Sequence, residues 1–233
     1  MDHLVLFHSN KKRADELAAK VKELGYAAVG DQTIAEGVTV FRYQPLADKI
    51  YVIDPGHGGS DPGAVDGIED DPIYTQEDDL TLEYAVELGE RLVDLGAFVI
   101  YTRTENVFVG INERAVLANN EPHVDAFISI HFNASATNKD AKGVEVLAYS
   151  QASNGYKLAT SIRDAVKGAG IPLFQEGLSL RPDLGVLRLT HMPAVLVEGG
   201  FITNPTEEAQ LHTATHRRAV VSTIVDGVMN WNK

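Results

Sequence analysis

Two histidines and a glutamate stand directly after apolar, β-rich runs. Ile50-Tyr51-Val52-Ile53 is followed by Asp54-Pro55-Gly56-His57-Gly58-Gly59, Ala126-Phe127-Ile128-Ser129-Ile130 by His131-Phe132-Asn133, and Ala194-Val195-Leu196-Val197 by Glu198-Gly199-Gly200-Phe201. In open α/β sheets the working residues lie just past the carboxyl ends of strands, so three strand ends deliver two imidazoles and one carboxylate. A catalytic zinc commonly takes three protein ligands and leaves its fourth position to water. For a third ligand the spacing offers Glu77, because Thr75-Gln76-Glu77-Asp78 has the S/T-x-x-D/E form that opens a helix and the apolar run starts at Leu80. Asp78 and Asp79 are rival carboxylates at that helix end. Glu198 is placed to take a proton from a water and return it to a leaving amine. Each residue also has a plainer reading: a loop histidine for His57, a satisfied core histidine for His131, a complement to the helix dipole for Glu77, and a cap or salt-bridge partner for Glu198.

The elements that must position these groups follow from apolar periodicity. The three runs above and Phe98-Val99-Ile100-Tyr101 lack polar alternation and read as strands covered on both faces; another strand is predicted over residues 144–149. Leu80, Tyr84, Leu88, Leu92 and Leu95 recur at helical spacing and Gly96 closes that helix. Shorter helical patterns surround Ala115 and Ala118 and run from Leu158 to Val166, and a final helix is predicted over residues 216–229. Strands alternating with helices predict an α/β fold over residues 47–233: a single three-layer domain with a twisted, mostly parallel sheet flanked by helices. Residues 1–46 read as a small N-terminal βαβ module. In it, Val5-Leu6-Phe7 is a strand, Ala14, Leu17, Ala18, Val21 and Leu24 mark a helix stopped by Gly25, and strands follow near 26–29 and 38–43. The stretch from Ser9-Asn10-Lys11 to Leu24-Gly25-Tyr26 resembles half of a sporulation-related (SPOR) glycan-binding repeat; an extra βα unit packed on the main sheet accounts for the same pattern.

Composition narrows the function. With 233 residues, 44% hydrophobic and 23% charged, the chain is neither collagenous, coiled-coil nor intrinsically disordered. The absence of cysteine excludes disulfides, thiolate metal sites and a Cys nucleophile, so a metal must be held by His, Asp or Glu. No G-x-S-x-G elbow occurs, which argues against a serine hydrolase. Of 33 acidic residues, eleven fall between positions 61 and 90, where there is no Lys or Arg; the other 22 nearly balance 20 basic residues. Without a basic stripe to replace phosphate counterions, nucleic acid is not an expected partner. No apolar run approaches the ~20 residues of a membrane span, and the start lacks the basic and apolar regions of a signal peptide.

Taken together, the blocks resemble the zinc-dependent N-acetylmuramoyl-L-alanine amidases of the Amidase_3 type over residues 49–231. The blocks are Ile53-Asp54-Pro55-Gly56-His57-Gly58-Gly59, Glu77-Asp78-Asp79-Leu80-Thr81-Leu82, Tyr101-Thr102-Arg103, Arg114 with Ala118-Asn119, Ser129-Ile130-His131-Phe132-Asn133-Ala134, and the run from Met192-Pro193-Ala194 through Glu198-Gly199-Gly200-Phe201 to Asn204. The resemblance implies that His57, Glu77 and His131 bind Zn²⁺ and that Glu198 is the catalytic carboxylate. The implied reaction is hydrolysis of the peptidoglycan amide between muramic acid and L-alanine, with Asp54 or a backbone carbonyl orienting an imidazole. It makes the chain a cell-wall hydrolase, an autolysin or endolysin acting outside the cytoplasmic membrane. Since no export segment is visible, the expectation is a phage-type lysin or a chain whose export segment was removed. A zinc peptidase or carboxypeptidase with similar ligands and a non-catalytic wall-binding protein are the competing readings. Some members carry an inhibitory helix after the second metal histidine; here only residues 135–142 precede the next strand, so the site is expected to be open. Thr81, Thr104-Glu105-Asn106 and Glu176-Gly177-Leu178 depart from the family pattern.

Overall fold

Six strands form the sheet that carries the site. In chain order the elements are strands β1 (His3–Phe7), β2 (Tyr26–Ala28), β3 (Val38–Tyr43) and β4 (Ile50–Pro55), helix α1 (Glu77–Asp94), β5 (Phe98–Tyr101), α2 (Ile111–Asn120), β6 (Ala126–Asn133), β7 (Val144–Ala148), α3 (Asn154–Gly168), β8 (Leu173–Leu180), α4 (Gly185–Leu189), β9 (Ala194–Phe201), α5 (Pro205–Leu211) and α6 (Ala214–Trp231). The computed structural model describes residues 3–7, 20, 23, 26–28, 38–66 and 73–232. The chain divides into two compact units, Met1–Lys49 with Leu92–Phe98 and Ile50–Arg91 with Val99–Lys233.

The larger sheet has the order β5-β4-β6-β9-β7-β8. Strands β4, β6 and β9 run parallel, β7 is antiparallel to β9, and β8 is parallel to β7. The sheet is therefore mixed and mostly parallel, flanked by helices in a three-layer α/β arrangement. The expected apolar runs form its centre: β4 and β6 are buried almost throughout. Three elements are absent from the sequence reading: β8, α4 and α5. Strand β8 is half-exposed, and left-handed backbone at Gln175 and Gly177 breaks its pattern, so no apolar run marks it.

Side-chain alternation sorts the sheet into two faces. On one face Val52, Phe127, Leu147, Ala194 and Leu196 pack with Ala118 of α2 and Val186 and Leu187 of α4. Two residues further along the same strands, that face carries Asp54, Ser129 and Glu198, then His131 beyond Ser129. Phe132 points to the opposite face, where the ring of Tyr84 from α1 meets it edge-on with centroids 4.8 Å apart. Helices α3 and α6 close on each other where Gly227 lies against the backbone of Ile162; a Cβ there would come within 2.5 Å of the Ile162 Cα.

In the smaller unit β1 and β2 each pair antiparallel with β3, so they run parallel to one another on either side of it. The expected helix of this module and the stretch likened to a SPOR repeat lie mostly outside the described residues; Lys20 and Glu23 are helical.

Phe127 has no solvent exposure and sits in the packed cluster beneath α2 and α4. Phe127→Ala is expected to cost about 3–5 kcal/mol of stability, read as a fall in the urea midpoint at unchanged slope.

Candidate metal centre

The carboxylate of Glu77 joins three elements. It belongs to the first turn of α1, is buried, and receives one imidazole on each oxygen. Nε2 of His57, from the turn after β4, lies 3.2 Å from Oε2. Nδ1 of His131, on β6, lies 2.9 Å from Oε1. The amides of Ala64 and Phe132 donate to the same two oxygens at 2.8 and 3.0 Å. One donor atom from each of His57, Glu77 and His131 lies within 4.8 Å of the others. Asp78 and Asp79, the rivals in sequence, are elsewhere: Asp78 is buried away from the cluster and Asp79 accepts a hydrogen bond from Asn106 at 3.2 Å.

The turn bearing His57 is held from several directions. His57 adopts φ 59°, the left-handed region that disfavours most side chains. Its Nδ1 pairs with Oδ2 of Asp61 at 2.9 Å, which leaves Nε2 to face Glu77. Asp61 therefore does what the sequence assigned to Asp54 or a backbone carbonyl. Asp54 is committed below the turn, accepting from Thr102 and Ser129 at 2.6 Å each and from Arg114 at 2.8 Å. Arg114 also donates to the carbonyls of Pro55, His57 and Val109. Arg103 donates to the carbonyls of Pro55, Gly56 and Asp78. Two buried guanidiniums thus saturate the carbonyls of residues 55–57, a role that sequence blocks containing Arg103 and Arg114 mark without explaining. Two glycines give the cluster room: a Cβ on Gly56 would fall 2.3 Å from the His131 ring, and one on Gly63 would fall 2.6 Å from Glu77 Oε2.

The helix start differs from the S/T-x-x-D/E reading. The hydroxyl of Thr75 is taken by Glu208 and lies 2.7 Å from Nε2 of His212. The first amides of α1 are satisfied by the passing loop, Glu77 N by Ala64 O at 2.9 Å and Asp78 N by Pro62 O at 3.2 Å. That loop capping turns the Glu77 side chain toward the imidazoles.

Glu198 pairs in register with His131 across β6 and β9 and with Glu145 across β9 and β7. Its Oε2 is out of contact with solvent and has no hydrogen-bond partner among the described residues. Burial pushes its carboxyl up to about 7; His131 opposes this, and the charges of Glu77 and Glu145 add to it. For His57, burial pulls the imidazole down, but the hydrogen bond and charge of Glu77, helped by Asp61, outweigh it and raise it to about 9. Burial likewise opposes ionisation of Glu77, yet the two imidazoles hold it well below the usual carboxylate range.

A cavity of about 940 Å³ opens on His57, Asp61 and His131 and continues past Phe108, Ile111 and Leu184 to Arg188. Glu198 is not one of its walls. Residues 134–143, between β6 and β7, contain no helix. A mostly parallel sheet whose strand ends help gather a His–Glu–His donor set beside a half-buried carboxylate is the architecture of an α/β protein with a candidate metal site. Residues 51–230 match the family model described as N-acetylmuramoyl-L-alanine amidase, Amidase_3, and the chain belongs to that family. A probable cell wall amidase, LytH, of Staphylococcus epidermidis is 37% identical over 187 residues, 80% of this chain and 60% of that protein. The chain thus spans about 60% of the length of that staphylococcal relative. The crystal structure of N-acetylmuramoyl-L-alanine amidase from Clostridium difficile 630 is similar, with TM-score 0.71 and 32% identity, over 78% of this chain and 96% of that one. The catalytic domain of CwlV, an N-acetylmuramoyl-L-alanine amidase from Bacillus (Paenibacillus) polymyxa var. colistinus, superposes with TM-score 0.69 at 30% identity, over 78% of this chain and 97% of that one. No helix among the described residues is long and apolar enough to cross a membrane.

The shifted groups predict how stability follows pH in the presence of chelator. A group raised above its unfolded value contributes stability that is complete below that value and lost as pH rises through the folded one. For Glu198 the loss runs from about 4.5 to about 7; for His57 it runs from about 6.5 to about 9. The contribution of Glu77, whose carboxyl is lowered, is present above about 4.5 and lost in acid. Metal-free protein should therefore show a melting temperature that declines from pH 5 to pH 9. Glu198→Gln is expected to flatten the lower part of that decline and His57→Asn the upper part.

Proposed function

We propose that this chain hydrolyses the amide bond between N-acetylmuramic acid and L-alanine in peptidoglycan, using a zinc ion held by His57, Glu77 and His131. The observation that carries this reading is the Glu77 carboxylate spanning two imidazoles, one per oxygen at 3.2 and 2.9 Å. Two imidazoles and a carboxylate are a donor set of catalytic zinc sites, in which tetrahedral ligands stand about 3.3 Å apart. What zinc supplies when held there is Lewis acidity toward a water and toward the scissile carbonyl.

The remaining chemistry belongs to side chains. Glu198 accepts a proton from the attacking water and passes it to the nitrogen of the departing L-alanine, so that the C–N bond breaks with a neutral amine leaving. Burial opposes ionisation of this carboxyl, which favours its holding the proton between the two halves of that transfer. Asp61 fixes the His57 tautomer by accepting a hydrogen bond from Nδ1–H, which leaves the Nε2 lone pair free to bind a metal ion. Arg103 and Arg114 keep the turn from relaxing. Residues 47–233 form the catalytic domain and residues 1–46 a separate small module. The substrate lies outside the cytoplasmic membrane, and the names of the similar proteins, a probable cell wall amidase among them, support action there.

Mass spectrometry of digested peptidoglycan tests the assignment: new L-alanine amino termini should appear and should vanish with chelator, whereas new D-amino-acid ends would transfer the protein to the carboxypeptidases. Glu198→Gln should lower turnover by about 10²–10⁴ while the zinc content of the protein stays at the wild-type level. Asp61→Asn should weaken zinc binding by about 10–100-fold, measured by competition with a metal indicator.

A further inference from the structure

The ionic side chains lining the large cavity are, with one exception, partnered inside the chain. Asp54 pairs with Arg114 at 2.8 Å and Asp61 with His57 at 2.9 Å. Glu113 accepts from the Gly110 amide at 2.8 Å, and Asp183 pairs with Arg181 at 2.7 Å. The guanidinium of Arg188, exposed near the end of α4, has no ion-pair or hydrogen-bond partner among the described residues. Arg188 also borders a second cavity of about 250 Å³, whose walls include the polar side chains of Tyr149, Ser153, Asn154 and Thr190. Ala194, at the start of β9, lines that second cavity. Glu198 lies four residues further along the strand, about 13 Å at 3.3 Å per residue. An extended peptide covers about 3.3–3.6 Å per residue, so a chain leaving the reacting centre reaches the level of Arg188 at its third or fourth residue.

We infer that Arg188 is a specificity-determining residue that pairs with a carboxylate carried by the third or fourth residue of the substrate's peptide arm. The inference rests on the amidase reading above, because it takes the scissile bond to lie beside Glu198. A guanidinium presents paired N–H donors that match a carboxylate. In a chain of net charge −13, an uncommitted cation in the cavity is where an anionic arm finds attraction.

The test uses the zinc-loaded 233-residue chain and soluble muramoyl peptides with arms of three and of four residues, each ending in a carboxylate or in a carboxamide. The wild type should show a KM about fivefold lower for the carboxylate, the upper end for a solvent-exposed ion pair. Arg188→Ala should bring both substrates to the same, higher KM, and Arg188→Lys should fall between. Calorimetry on metal-free protein should show the released four-residue peptide binding Arg188→Ala about fivefold more weakly than wild type. A wild type indifferent to the terminal carboxylate, or a variant affected equally on both substrates, overturns the assignment. So does an effect confined to whole cell walls, which would assign Arg188 to an anionic wall polymer instead. If no muramoyl peptide is cleaved, the amidase reading fails, and the calorimetry still judges Arg188.

Discussion

A single buried carboxylate organises this site. Removing an ionised group from water costs several kcal/mol unless hydrogen bonds and opposite charge replace the lost hydration. Glu77 meets that demand with two backbone amides and two imidazoles. The donors come from the turn after β4, the loop preceding α1 and the end of β6, so ionising Glu77 requires all of them to be in place. The arrangement is self-consistent without a metal because a proton on an imidazole supplies positive charge. It also shows why the same geometry suits a divalent cation, which would supply that charge in the space between the three side chains.

Beneath this cluster lies a second electrostatic layer. Asp54 has no solvent exposure, and its counter-ion Arg114 is almost as buried. Such a pair is a weak source of net stability, but removing one member leaves an uncompensated charge and costs about 3–5 kcal/mol. Here the pair fixes geometry. The guanidinium that neutralises Asp54 spends its other donors on the carbonyls of Pro55, His57 and Val109, and Arg103 holds Gly56 from the other side. A turn with saturated carbonyls cannot easily move His57 out of its left-handed conformation. Precision in the first layer therefore derives from charge burial in the second.

Different parts of the site were legible in the sequence to different degrees, for physical reasons. His57, His131 and Glu198 follow runs apolar enough to be covered on both faces, and such runs announce both the strand and its carboxyl end. Glu77 could not be separated from Asp78 and Asp79, because position in a first helical turn does not say which way a side chain points. That direction is set by loop carbonyls capping α1, which involve contacts with Pro62 and Ala64 rather than with Thr75. Asp61 was invisible for a similar reason: its approach to His57 depends on a turn closed by the Gly58 and Asp61 backbones. The reversed direction of β7 was equally unreadable, since an apolar run carries no sign of its partner's orientation, and it is this reversal that brings Glu145 opposite Glu198.

The departures from the family pattern show how far local chemistry can vary around a fixed centre. Thr81 is fully buried, and its hydroxyl donates to Gly56 O at 2.8 Å while accepting from Arg103 at 2.9 Å. A short side chain that both donates and accepts thus links α1 to the His57 turn. Asn106 accepts from the Gly59 amide and donates to Asp79, so the loop after Arg103 is fastened by an amide able to do both at once. Glu176 sits on the exposed edge strand β8, where its backbone carbonyl, not its carboxylate, meets Arg163 at 3.4 Å. Two of the three departures therefore make a hydrogen-bond link to the turn that carries His57, and the third lies on an exposed edge strand.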